Sequence, residues 1–196
     1  MSPLCLLAAA ALSVVAGAAQ AQQVPASTTP VAPQDKLSAA AAGVGVKRCL
    51  PAISRLSSLM LQGSRNHDLL LDWDRKRPND GAVFGFLGLE YPNAGVAASI
   101  TSVPESDGSC TVAAERISVA PYTCASIAQQ ELAGYQMSRL LPVYAVYVDP
   151  KEPNSSVSLI DSPPGCLVIR RFVEYSWHDP ATAVGAQKPA GAAARR

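Results

Sequence analysis

Residues 48–63, RCLPAISRLSSLMLQG, and residues 109–119, SCTVAAERISV, decide the fold between them. The first stretch opens at Cys49 and sets Ile53, Leu56 and Leu59 or Met60 at three-to-four spacing, which is one face of a helix. Pro51 suits the first helical turn, where no N–H partner is lost, and Gly63 suits the C-terminal stop. The second stretch opens at Cys110 and has the short apolar run of a strand. The same order then returns. Residues 123–135, TCASIAQQELAGY, open at Cys124 with Thr123 as a plausible N-cap, and Ile127, Ala128, Leu132 and Tyr135 form the apolar stripe. Residues 165–175, GCLVIRRFVEY, open at Cys166 as another strand.

The intervening sequence repeats too. AVFGFLGLEY (82–91), the turn PNAG, VAASITSV (96–103) and the turn PESDGS lead to the Cys110 strand. PVYAVYV (142–148), the turn DPKEPN, SSVSLI (155–160) and the turn DSPPG lead to the Cys166 strand. Short apolar runs separated by Pro, Gly, Asn and Asp clusters are strand and turn signals. The expected fold is therefore α+β: two tandem α-β-β-β units in a mainly antiparallel six-stranded sheet, with two helices on one face. The competing explanation is two unrelated α+β stretches whose cysteines share an order by chance. The first unit is longer, and its excess falls mainly in SRNHDLLLDWDRKRPNDG. Residues 64–82 are thus expected as a mobile loop or a small strand at the sheet edge.

Domain limits follow from composition. Residues 1–21 have an uncharged apolar run from Leu4 to Ala19 and end in Ala19-Gln20-Ala21, the pattern of a cleavable signal peptide. Residues 22–46 are rich in Pro, Ala, Ser and Thr without durable periodicity and read as a flexible linker. Residues 47–178 form the folded domain, and 179–196 read as a disordered tail. No later segment approaches the length of a membrane span. The domain holds 12 Lys or Arg against 13 Asp or Glu. That near-neutral balance argues against a nucleic-acid partner, whose backbone calls for a concentrated basic face. The destination is expected to be the periplasm or the exterior of a bacterium.

Cys5 leaves with the leader, so Cys49, Cys110, Cys124 and Cys166 remain. An even set in an exported protein of this size points to two disulfides. The repeat favours Cys49 with Cys110 and Cys124 with Cys166. If residues 110–119 are one extended strand, Cys124 begins about 30 Å from Cys110, whereas a bridge needs Cα atoms within about 7 Å; the pair nearest in sequence is disfavoured. Cys49–Cys124 with Cys110–Cys166 stays open. No C-x-x-C occurs and the spacings fit no zinc module.

Signals for chemistry are sparse. Two histidines exist, His67 and His178. A hydrolase or metal-dependent enzyme would centre on His67 with Asp68, Asp72 and Asp74, but no G-x-S-x-G, H-E-x-x-H or EF-hand loop accompanies them; a polar surface insertion is the plainer reading. His178 follows Trp177 where the last strand meets the tail. Glu90, Glu115, Glu131 and Glu174 sit on separate elements, and no spacing singles out a glycosidase-type pair. No cofactor motif is present. The reading that remains is an exported, non-catalytic binding module of the envelope, such as an adaptor, an inhibitor or an immunity-type protein. It would take a protein partner, with Leu69, Leu70, Leu71 and Trp73 as the candidate partner loop. Each bridge closes a long loop and contributes about 4 kcal/mol in the chain-entropy account, so full reduction is expected to lower the melting temperature markedly. An unchanged melting curve in excess reductant overturns this.

Overall fold

The structure, a computed structural model, describes residues 35–179. The leader at 1–21, with its Cys5, the linker up to residue 34 and the tail from residue 180 lie outside the described residues. In chain order the elements are α1 (Lys36–Gly43), α2 (Leu50–Leu61), β1 (Asn66–Trp73), β2 (Val83–Tyr91), β3 (Ala94–Pro104), β4 (Cys110–Ala120), α3 (Cys124–Glu131), β5 (Gln136–Leu141), β6 (Tyr144–Val148), β7 (Ser155–Ser162) and β8 (Gly165–Trp177). All eight strands join one antiparallel sheet in the order β1-β2-β3-β4-β8-β7-β6-β5.

The α+β class, the antiparallel sheet and both disulfides stand as expected. Cys49 is bonded to Cys110 and Cys124 to Cys166, with Cα separations of 6.0 and 5.1 Å. The strand and helix counts need correction. Eight strands replace six, three helices replace two, and the chain does not resolve cleanly into two α-β-β-β units. β1 and β5 are the added strands, one at each edge.

The helix α1 lies within residues 22–46, which the composition assigns to a linker. It offers one large apolar side chain among alanines, yet Leu37 and Ala41 are fully buried. Leu37 reaches the sheet because residue 85 is glycine: a Cβ there would fall 2.7 Å from Leu37 Cδ1. Polar contacts complete the seat. The Asp35 carboxylate accepts from Ser38 N–H (2.8 Å), Ser38 Oγ (2.6 Å) and Ser57 Oγ of α2 (2.7 Å). Ser54 Oγ donates to Ser38 Oγ across the same contact. An N-cap that also bonds a second helix satisfies buried hydroxyls that periodicity alone cannot anticipate.

In α2, Ala52, Ile53 and Leu56 are buried, and the helix packs on β3 and β4. Pro51 sits in its first turn, and Gly63 follows its end with φ +75°, a conformation favouring glycine. In α3, the Thr123 hydroxyl accepts from Ser126 N–H, and Ile127 is buried against β7 and β8. Strand alternation is regular: Val83, Leu87 and Leu89 point to the helices while Phe84, Phe86 and Glu90 point away. Two apolar clusters result, a larger one under α1 and α2 and a smaller one under α3.

Residues 64–82 hold a strand at the sheet edge, the second of the two expectations. β1 pairs along its full length with β2. The following turn is pinned by Asn79 Oδ1, which accepts from Lys47 N–H and Arg48 N–H at 2.9 Å each, and by an Arg48–Asp80 ion pair at 3.1 Å. Leu37→Ala is expected to destabilise the domain by about 2–5 kcal/mol, the range for a buried leucine, read as the shift of a urea unfolding curve. No shift would mean that α1 is an ornament on the fold.

Candidate functional site

The residues of the enzyme reading are not brought together. His67 and Asp68 are neighbours on β1 and so point to opposite faces of the sheet. His67 pairs with Leu89 on the helix side, its backbone carbonyl accepts from Lys36 Nζ, and its ring Nε2 is enclosed without a hydrogen-bond partner. The Asp68 carboxylate accepts from the backbone N–H of Leu69 at 2.9 Å. Asp72 also lies on the face away from the helices. Asp74 closes the next turn: it accepts from Lys76 N–H (2.9 Å) and holds Arg77 in an ion pair (3.0 Å). The Lys76 backbone bond first, and then the Arg77 side chain, hold its carboxyl below the usual carboxylate range. Among the described residues no group of three or more His, Cys, Asp or Glu side chains could hold a metal ion.

The candidate partner loop is corrected to an edge strand. Leu69, Leu71 and Trp73 pack against the larger core, and Leu70 alone of the four points outward, 68% exposed. Trp73 is covered by the Arg75 guanidinium at 5.4 Å.

A shallow cavity of about 350 Å³ adjoins His67, Asp68 and Glu90; a pair of cavities lies elsewhere, on the helix side over the β4–β8 pair. There the alternation of β4 presents Val112, Ala114 and Arg116, and that of β8 presents Arg170, Phe172 and Glu174. The end of α2 supplies one wall through Leu59 and Met60, and Tyr135, just after α3, supplies the other. Two adjoining cavities share Leu59, Met60, Ala114 and Phe172. One, of about 230 Å³, continues past Arg55 and Glu174 to Trp177. The other, of about 300 Å³, reaches Arg116, Glu152 and Arg170.

Two arginines give this cleft its electrostatics. Arg116 and Arg170 face each other across the central strand pair, an arrangement that costs energy between like charges. Arg170 forms an ion pair with Glu131 at the end of α3. The half-buried Arg116 lies with its guanidinium carbon 4.8 Å from the centroid of Tyr91. Tyr91 is itself fixed, its hydroxyl donating to Met60 O at 3.0 Å with Gln62 O at 3.2 Å. Arg116 Nε is enclosed and, among the described residues, has no hydrogen-bond partner, and no carboxylate of the described residues lies within ion-pair distance of the Arg116 side chain. Sequence reading passed over both arginines, because an arginine on a strand ordinarily denotes a solvated face; only the register sets them opposite each other.

Comparison with protein families, curated proteins and solved structures finds no match to this chain. For His67, replacement by leucine removes an enclosed nitrogen without a partner, and an unsatisfied polar group costs about 1–3 kcal/mol. His67→Leu is expected to leave the urea midpoint unchanged or raise it. A lowered midpoint would show that the ring has a structural task the hydrogen-bond pattern does not reveal.

Proposed function

We propose that the chain is an exported, non-catalytic binding module of the bacterial envelope, an adaptor, inhibitor or immunity-type protein that docks a protein partner on its open sheet face. That face carries the proposal. The described helices bury their apolar sides on one side of the sheet, and the other side presents Leu70, Phe84, Phe86, Val119 and Tyr175, all exposed. Ile117, Ile169 and Val173 lie between them, half-buried. Exposed apolar side chains gathered on one sheet face of a small protein mark an interaction site. The Glu115–Arg171 rung, at 3.3 Å, is neutralised within the sheet, and Asp68, Asp72 and Glu90 stand on the same face toward the β1 edge.

Export is supported by the apolar leader-like sequence at 1–21 and by two disulfides, which persist in oxidising compartments. Among the described residues no helix is long and apolar enough to cross a membrane. We also read the two bridged halves as copies of one ancestral unit. In each, a helix opening at a cysteine is bonded to the last strand of its own meander, and those two last strands, β4 and β8, pair at the centre of the sheet. Helix α1 has no counterpart in the second half.

The test is site-directed photo-crosslinking in the producing cell. A photoreactive residue at Phe86 or Tyr175 is expected to yield an adduct with a second protein species, while one at Ser58, exposed on α2, yields none. Adducts from Ser58 alone, adducts only between copies of this chain, or no adduct from either open-face position would overturn the docking proposal.

A further inference from the structure

We propose that the cleft over the β4–β8 pair is a binding site for a single-chain anionic amphiphile, a carboxylate or phosphate head on an apolar chain. The site lies on the opposite side of the sheet from the docking face, so either proposal can fail without the other.

The head group follows from Arg116. A guanidinium presents five N–H donors in a planar fork that matches the oxygens of a carboxylate or phosphate. Here it is half-buried, stacked on Tyr91, and without an ion-pair partner. Its Nε is fully enclosed and unpartnered. An enclosed guanidinium N–H without an acceptor is costly, and the like charge of Arg170 on the facing strand adds to the cost. An anion at this point supplies acceptors to Arg116 and screens it from Arg170 in one step. Tyr91, tied to the end of α2, holds the fork in place beforehand, so little side-chain freedom is lost on binding.

The chain follows from what adjoins the head. The cavity at Arg116 is walled by Leu59, Met60, Ala114 and Phe172, and the adjoining cavity, which shares these four residues, reaches Trp177. A free inorganic anion would leave those apolar walls in contact with water, and a neutral lipid would leave Arg116 unpaired. Only a molecule with both parts satisfies the whole cleft. Glu152 shares the head-group end and disfavours an anion there, whereas Arg55 and Glu174 flank the far end with opposite charges.

The chain has two tryptophans, Trp73 and Trp177, and Trp177 lines the far end of the cleft. This gives a direct optical test on the full chain with both disulfides intact, in a Trp73→Phe background. The probe is an undecanoate brominated at its terminal carbon, whose bromine quenches nearby indole fluorescence. The expected result is saturable quenching of Trp177. Dodecanoate or dodecyl phosphate should relieve it, and the stronger competitor identifies the head group. Inorganic phosphate and an uncharged dodecyl glycoside should not. Arg116→Met should weaken binding about tenfold or more, the scale of a lost charge-assisted hydrogen bond. Glu152→Gln should strengthen it.

Should Arg116→Met fail to fold, Arg116→Lys keeps the charge but loses the planar fork, and should still weaken binding. No saturable quenching overturns the site. Equal competition by the neutral glycoside overturns the role of Arg116, and equal competition by inorganic phosphate overturns the role of the apolar walls. Undiminished affinity in a folded Arg116 variant does the same for the head-group assignment.

Discussion

The structure depends on the pairing of β4 with β8. These are two of its longest strands, 11 and 13 residues, and their ladder turns two meanders into one sheet. Cys110 lies opposite Trp177 at one end of the ladder, and Cys166 lies opposite Ala120 at the other. Both cysteines face the helices. The bridges therefore clamp opposite ends of the same strand pair, one tying down the start of α2 and the other the start of α3. Each withdraws chain entropy from the unfolded state over a long loop, and together they place the two helices at opposite ends of the sheet's centre.

The cleft is a consequence of that placement. With α2 anchored at one end of the ladder and α3 at the other, a helix of 12 residues extends about 18 Å and one of eight about 12 Å. Between them the middle rungs of the central pair are roofed only by the side chains of Leu59, Met60 and Tyr135. The apolar cores accordingly form as two clusters. A single wide helix layer would have merged them and buried the half-buried Phe172 completely. The concavity thus follows from topology and disulfide positions, without any special loop.

Much of this was legible in the residues because it rests on local pattern. The two cysteine pairs, helices α2 and α3, and strands β2, β3, β4, β6, β7 and β8 all carry periodicity or turn signals strong enough to read. What was missed lacks that pattern. KLSAAAAG offers two buried apolar contacts, and its one serine, Ser38, is satisfied by Asp35 and by Ser54 of α2, a tertiary arrangement that composition mistakes for linker. QMSRLL, the strand β5, is exposed throughout and shows no alternation. In LLLDW the triple leucine obscures the alternation that sends Leu69 and Leu71 inward and Leu70 outward. The same signal misplaces His67 and Asp68, whose adjacency in sequence sends their side chains to opposite faces once the segment is a strand.

The cleft residues were hidden more deeply, since their meaning lies in register. Arg116 opposite Arg170 and Glu115 opposite Arg171 are consecutive rungs of one ladder. Alternation sends the first rung to the helix side and the second to the open side. On the open side the rung pairs opposite charges and is electrically quiet. On the helix side the rung sets two cations together beneath an apolar roof, and only one of them has a carboxylate partner. A shift of β8 by one residue would exchange the faces of its side chains, moving Arg170 to the open side and Arg171 into the cleft. The electrostatic difference between the two faces is therefore fixed by the same ladder, and held by the same two bridges, that define the fold.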